Sequence, residues 1–166
     1  KARLGWEPGM RVTGMHVRHG DKKTESSVVP MEVYMHTAHS AAVGWLPGVG
    51  QEHVVYLSTD DPEAIETART WTPPEESGDS TMRVLVREDE VRGVSTATDQ
   101  LLTMHKVNAT RYGIEAIANL WLLSHCESFV GTFSSNFGRL AYELSYARFK
   151  GRVFAASMDV FWHAYP

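Results

Sequence analysis

Short β-branched and aromatic runs alternate along this chain with segments that have helical spacing, and this alternation constrains the fold more than any other feature. Strands are predicted at residues 11–18, 53–59, 82–86 and 128–131, with a fifth at 152–155. Helices are predicted at residues 31–43, 63–71 and 112–126, with a last one that starts near Ser135. Because strands separated by helices pair in parallel through right-handed crossovers, we predict an α/β fold with a Rossmann-like, doubly wound parallel sheet.

Length and composition exclude several classes of protein. A chain of 166 residues suits one α/β domain, so we expect a single domain over residues 1–166. The formal net charge of −4, without clustered Lys and Arg, argues against nucleic-acid binding. No run approaches the roughly 20 apolar residues of a membrane span, so we expect no membrane contact by this segment. The lone Cys126 cannot form an internal disulfide.

Apolar spacing also predicts which helix faces are buried. The segment 112–126 is predicted to be the most buried helix, because five apolar residues recur in it at helical spacing: Ile114, Ile117, Leu120, Trp121 and Leu123. The last helix is predicted to pack through a similar face: Phe137, Leu140, Ala141 and Leu144.

A polar stretch, residues 16–22, follows directly on the first predicted strand. Since α/β sheets bind ligands beyond the carboxyl ends of their strands, this composition suits an anionic substrate. Gly14, His16 and Arg18 would point to one face of the strand. Arg18 offers a rigid five-donor fork for a diphosphate, and His16 could hydrogen-bond a base or a sugar. The residues leave one alternative open, a salt bridge from Arg18 to Asp21 with His16 in a structural role.

A second polar turn, residues 131–136, lies between the fourth strand and the last helix. Backbone amides at a helix start, with serine hydroxyls beside them, form a ready anion site. The alternative is that the side chain of Ser134 or Ser135 simply caps the helix. Both interpretations can hold together if this turn shares a sheet edge with Arg18.

The other polar groups have simpler interpretations. Asp60 and Asp61 precede Pro62, as expected of a capped helix start rather than a metal pair, and no His or Cys spacing indicates a metal site. Glu25, in the loop just after Lys22, is a candidate general base because its carboxylate could lie beside the phosphate-binding arginine without coordinating a metal, although most loop glutamates are only solvated.

Four segments in this order together resemble the α-1,6-fucosyltransferase family, glycosyltransferase family 23, which includes core N-glycan and Nod-factor enzymes. They are residues 16–22 (HVRHGDK), 30–35 (PMEVYM), 55–62 (VYLSTDDP) and 132–143 (TFSSNFGRLAYE). The resemblance runs from about Val12 to the region of Asp159. It corresponds to the carboxyl-terminal part of the family's catalytic region, so the amino-terminal half that would complete the acceptor cleft is expected to be absent from these residues.

The resemblance implies the nucleotide-sugar-binding half of a GT-B-like glycosyltransferase, in which two α/β halves face each other. The implied reaction is inverting and needs no metal or other cofactor. It transfers L-fucose from GDP-fucose to the 6-hydroxyl of the innermost N-acetylglucosamine of an N-glycan or chito-oligosaccharide. The implied location of the full-length protein is the Golgi lumen, as a type II membrane protein, in a eukaryote, and the cytoplasm in a bacterium.

The resemblance also implies roles for single residues. Arg18 matches the family's essential arginine, which would stabilise the departing GDP. Glu25, after one deletion, matches the glutamate base, for which Glu32 is the weaker candidate. The remaining matches are catalytic or substrate-binding positions: His16 on the guanine side, Asp21, Lys22, Tyr34, Asp60, Asp61, and the diphosphate loop Ser134, Ser135 and Asn136.

The chain departs from the family at four positions. His19 stands where a second arginine is usual, and Asn119 aligns with an aspartate that binds guanine. Gly131 and Gly138 stand where two cysteines flank the serine loop. The departures at His19 and Asn119 keep one alternative open, a catalytically silent nucleotide- or glycan-binding module. A second alternative is an enzyme resembling the protein O-fucosyltransferases, whose fold and arginine motif are related.

Overall fold

The computed structural model describes residues 2–19, 28–45, 52–75, 81–90, 92, 102–104 and 108–159. Its five strands are β1 (Val12–Val17), β2 (Glu52–Thr59), β3 (Thr81–Leu85), β4 (Ser128–Gly131) and β5 (Phe154–Ser157). Its longer helices are α1 (Met31–Trp45), α2 (Pro62–Thr70), α3 (Ala109–Leu123) and α4 (Asn136–Arg148), and a short 3-10 helix spans Ala2–Leu4. Every predicted strand and helix is confirmed, with ends that differ by at most three residues.

All five strands pair in parallel, in the order β3-β2-β1-β4-β5. The chain runs outward from β1 through β2 to β3, and then crosses back to add β4 and β5 on the other side of β1. The strand order therefore reverses between β1 and β4, which is where doubly wound sheets form their ligand crevice. At that point His16 lies level with Ser58 of β2 and Gly131 of β4.

Each face of the sheet has its own apolar core. On one face, Met15 and Val17 of β1 pack in a cluster with α1 and α2. On the other face, Phe129 of β4 packs in a cluster with α3 and α4. A Cβ placed on Gly14 would lie 3.0 Å from Cys126, so Gly14 faces the α3 and α4 side, and the ring of His16 lies 5.1 Å from that of Phe137 on the same side. The doubly wound prediction is thus confirmed.

The predicted burial of α3 is confirmed for Leu123, which is fully buried, and in part for Leu120, which packs against the core. It is wrong for the other three residues: Ile114 and Ile117 are 62% and 68% exposed, and Trp121 is 49% exposed. The buried face of this helix contains Glu115, Asn119, Leu122 and Leu123. The spacing identified the helix correctly but misplaced its buried face, because the face that meets the sheet contains two polar residues.

The predicted face of α4 is confirmed for Ala141, which is buried, and for Phe137, which packs against the core, but it is wrong for Leu140 and Leu144, which are exposed. Its buried face is made of small residues: Gly138, Ala141 and Ser145. Small side chains allow the helix axis to approach the sheet closely, and the hydroxyl of Ser145 donates to the Cys126 carbonyl at 2.6 Å. Among the described residues, no helix has the length and apolar character needed to cross a membrane.

Candidate functional site

A cavity of about 320 Å³ opens at the carboxyl ends of β1 and β2. It lies at the switch point of the sheet and gathers residues from both sides of it. Five predicted site residues line its wall: His16, Arg18, Asp60, Asn119 and Ser135. The predicted residues Asp21, Lys22 and Glu25 lie outside the described residues, as does the alternative salt bridge from Arg18 to Asp21.

His16 is almost completely buried in this wall. Burial, assisted by the nearby charge of Arg18 and opposed by Asp159, lowers the pKa of His16 to about 4. The ring is therefore neutral at pH 7, and its buried Nδ1 atom has no hydrogen-bond partner among the described residues. A neutral imidazole has one donor and one acceptor nitrogen, which is the chemistry required for a contact with a base or sugar.

The turn between β4 and α4, residues 132–135, is organised by a carboxylate that the sequence analysis missed. Asp159 Oδ1 accepts from the Phe133 amide at 2.9 Å and from the Ser134 amide at 3.3 Å. The Ser134 hydroxyl donates to the other oxygen of the same carboxylate. Part of this turn therefore binds an anionic group that belongs to the chain itself. The available signal was that Asp159 follows β5, whose end meets that of β4.

Ser135 is the residue at the N-cap of α4, but its side chain makes no capping hydrogen bond. The prediction that the Ser134 or Ser135 hydroxyl caps the helix is therefore wrong, because Ser134 bonds Asp159 and Ser135 does not reach the helix amides. The Ser135 Oγ atom is buried without a hydrogen-bond partner within the described part of the chain. A buried hydroxyl in this state costs roughly 1–3 kcal/mol, and Ser135 lines the cavity.

Two other predicted residues lie near this turn but not in the cavity wall. The Tyr34 hydroxyl lies 2.8 Å from the Thr132 hydroxyl, and burial raises the pKa of Tyr34 to about 12. Tyr34 therefore supports the turn as a neutral phenol. Asn136 is exposed, and its side-chain carbonyl accepts from Arg139.

The turn between β2 and α2 contains Asp60 and Asp61. Asp61 caps α2 by accepting from the Glu63 amide at 2.9 Å, so the predicted capped helix start is confirmed. Asp60 lines the cavity and accepts from the His19 amide at 3.0 Å. Among the described residues, no group of three His, Cys, Asp or Glu is arranged to hold a metal ion.

The two glycines that replace the family's cysteines are explained by packing. A Cβ placed on Gly131 would lie 2.6 Å from the Phe129 ring. A Cβ on Gly138 would lie 2.6 Å from the Thr132 carbonyl oxygen and 3.1 Å from His16 Nδ1. Any larger residue would collide at either position. The two glycines therefore allow the turn to pack closely against the rings of Phe129 and His16.

The opposite wall of the cavity contains charged residues that the sequence analysis did not single out. Glu90 pairs with Arg87 at 3.1 Å and with Arg92 at 3.3 Å, and burial raises the pKa of Glu90. Asn119 interacts with Glu90, and its side-chain carbonyl accepts from the Tyr56 hydroxyl. One of the two lone pairs of the carbonyl that could accept from guanine is thus already engaged.

Part of this wall could have been predicted from the spacing of two polar residues on α3. Glu115 and Asn119 are four residues apart on α3, so they share a helix face, and both line the cavity. Glu115 also pairs with Arg111 at 2.7 Å. Two polar residues at this spacing on a helix that otherwise looks apolar indicate a site at that face.

The fold and the site together define a Rossmann-like α/β domain with its cavity at the switch point of the sheet. The chain belongs to the α-(1,6)-fucosyltransferase family, because the family model for the α-(1,6)-fucosyltransferase N- and catalytic domains matches residues 1–162. The family resemblance seen in the sequence is thus confirmed.

Two solved structures are also similar to the chain, and both are of NodZ α-1,6-fucosyltransferase. The one co-crystallized with GDP is 19% identical, with a TM-score of 0.48, over 82% of this chain and 36% of that chain. The one soaked with GDP-fucose is 19% identical, with a TM-score of 0.43, over 82% of this chain and 37% of that chain. The chain therefore spans little more than a third of the length of these structures. No curated protein matches the chain.

Proposed function

We propose that this chain is the GDP-fucose-binding half of an α-1,6-fucosyltransferase. Membership of the family supports the reaction class. The observation that carries the assignment of the site is the convergence of Arg18 and Ser135 on one cavity, from the ends of β1 and β4. Within the described ranges the buried Ser135 hydroxyl has no hydrogen-bond partner, so a ligand oxygen would satisfy it.

In this proposal the cavity stabilises the diphosphate without a metal. The Arg18 guanidinium and the amino end of α4 supply fixed positive charge for the leaving GDP, and Ser135 donates a hydrogen bond. His16 contacts the nucleoside as a neutral ring. The fixed positions of these donors matter because the negative charge on the diphosphate grows as the bond to fucose breaks.

The acceptor in the proposal is the 6-hydroxyl of the innermost N-acetylglucosamine of an N-glycan or chito-oligosaccharide. Its oxygen attacks the anomeric carbon of fucose from the side opposite the phosphate, which inverts that carbon. The bond between the anomeric carbon and the phosphate oxygen breaks, and GDP departs with the electron pair. Glu25 takes the hydroxyl proton as general base, and Asp21 and Lys22 organise its loop.

The test is fucose transfer from GDP-fucose to a chitobiose-type acceptor by the full-length protein. We expect Arg18→Ala to lower kcat/KM at least about 100-fold, as loss of a charge-stabilising donor does. Glu25→Gln should lower kcat by about the same factor with little change in donor affinity. Arg148→Ala and Glu143→Gln, which change exposed residues of α4, serve as matched controls.

The outcomes separate the alternatives. Unchanged rates for both Arg18→Ala and Glu25→Gln would overturn the residue assignments. Binding of GDP without transfer to any acceptor would indicate a silent binding module. Transfer to folded protein domains but not to glycans would indicate an enzyme of the protein O-fucosyltransferase kind.

A further inference from the structure

His19 directly follows Arg18 and is held by three polar contacts. Its amide donates to Asp60 Oδ1 at 3.0 Å. Its ring Nδ1 atom lies 2.9 Å from Asp61 Oδ2, and its ring Nε2 atom lies 3.0 Å from the Val29 carbonyl oxygen. The residue is only 7% exposed. His19 thus ties the end of β1 to the turn before α2 and to the segment before α1.

Both ring contacts require the same kind of hydrogen bond. A carboxylate and a backbone carbonyl can only accept, so each ring nitrogen must carry a proton for both contacts to be hydrogen bonds. A neutral ring would place a lone pair opposite one of the two oxygens. The arrangement therefore fits an imidazolium, which offers two donors and a positive charge.

The groups around the ring agree with this state. From the turn before α2, the carboxylates of Asp60 and Asp61 face His19. From α1, the uncharged ring of Tyr34 lies 6.3 Å away, edge on. Next to it in the chain, just beyond the end of β1, the neighbouring cation is Arg18, whose side chain lines the cavity. The His19 side chain and the Asp61 side chain are 8% and 12% exposed, so water screens their contact little.

We infer that His19 is a positioning residue that, as an imidazolium, fixes the backbone behind Arg18 and so sets the geometry of donor binding. The inference rests on the proposed function in so far as Arg18 is the donor-binding group. It accounts for the departure from the family at this position, since an arginine also offers several donors and a positive charge.

The first experiment measures GDP affinity and fucose transfer for the wild type and for H19Q, H19N and H19R. Gln and Asn offer one neutral amide and cannot keep both contacts, so we expect about tenfold lower affinity and kcat/KM. Arg keeps several donors and a positive charge, so it should restore both to within about threefold. H39Q is the matched control, because His39 is also buried but lies on α1, packed against His53 and Trp71.

The second experiment does not depend on GDP. The nitrogen chemical shifts of the His19 ring, measured by NMR of the wild type at neutral pH, report whether each ring nitrogen carries a proton. Two protonated nitrogens are expected, because both ring contacts need a donor. His39 serves as the comparison within the same spectrum: burial and the neighbouring His53 and His36 lower its pKa, so its ring should carry one proton only.

The two experiments fail in different ways. If the wild type binds no GDP, the proposed function fails, while the NMR data still decide whether His19 is an imidazolium. A His19 ring with one unprotonated nitrogen would overturn the inference. So would a wild type that binds GDP with the same affinity as H19Q. Should H19R not fold, H19Q and H19N still distinguish these outcomes.

Discussion

Two strand-to-helix turns lie at the same edge of the sheet and are built differently. In the turn before α2, the N-cap residue Asp61 uses its side chain to cap the helix, and its own amide donates to the Thr59 hydroxyl at 3.1 Å. In the turn before α4, the N-cap residue Ser135 makes no capping bond, and its hydroxyl is buried without a partner among the described residues. The first turn is complete in the free protein, whereas the second has an unused donor at the cavity.

The difference separates a structural turn from a binding turn. A capping side chain contributes about 1 kcal/mol to the free energy of unfolding. Asp61 makes this contribution, and Ser135 does not. The hydroxyl of Ser135 is instead available to a ligand in the cavity that also contains Arg18. If this comparison is right, loss of the Asp61 side chain lowers the stability of the protein, whereas loss of the Ser135 hydroxyl weakens binding with little change in stability.

The largest expected effect is that of Asp61→Ala. It removes the cap of α2 and leaves the buried His19 ring without its carboxylate, which together should lower the free energy of unfolding by about 4 kcal/mol. Chemical denaturation of the wild type and variant measures the loss. Asp61→Asn, which can still cap but carries no charge, should lose less. An Asp61→Ala protein as stable as the wild type would refute the structural role of this turn.

The next effect concerns His16, which packs beside the second turn. Its pKa falls from 6.5 to about 4 on folding, so the folded protein resists protonation of this ring. The stability due to the neutral ring is fully present above about pH 6.5 and is lost as the pH falls towards 4, by about 3 kcal/mol. Unfolding curves of the wild type and His16→Asn over this range isolate the contribution. Parallel curves would contradict the buried, neutral state.

A smaller effect is expected for Gly138→Ala in the second turn. The added Cβ would press on the Thr132 carbonyl oxygen, which belongs to the backbone and cannot rotate away, so we expect a loss of about 2 kcal/mol. Gly113→Ala on α3 is the matched control, since a Cβ there meets nothing within 4 Å. The control should gain up to about 1 kcal/mol from helix propensity. Equal effects in thermal unfolding would show that the turn has more room than the structure indicates.

Most of the fold could be predicted from the sequence because each element has a local signal. The strand β1 ends where polar residues begin, and α2 begins where Asp61 and Pro62 offer a cap and a fixed φ. The buried face of α3 was mispredicted because burial depends on which stripe meets the sheet. Apolar spacing does not encode this when Glu115 and Asn119 face a cavity.

The candidate site could be predicted only where a residue's position at the end of a strand places it in the site. Arg18 and Ser135 follow strands whose ends meet, so the topology was enough to bring them to one edge. Asp159 was missed because its role arises from contacts with Phe133 and Ser134, more than 20 positions away in the chain. The partner of His19 was missed for the same reason, since Asp61 already had a sufficient local explanation as a cap.

The smallest change in stability is expected for Ser135→Ala, and it tests the comparison most directly. Removing a buried hydroxyl that has no partner should leave the free energy of unfolding within about 1 kcal/mol of the wild type, or raise it. The same substitution should weaken GDP binding about tenfold, because the diphosphate loses one hydrogen bond from a buried donor. Calorimetric titration with GDP, together with denaturation of the same samples, measures both effects.

Ser145→Ala is a control for which the opposite result is expected. The buried Ser145 hydroxyl donates to the Cys126 carbonyl, so its removal should lower stability without weakening GDP binding. A Ser135→Ala protein that lost stability but bound GDP normally would make the second turn a structural turn like the first.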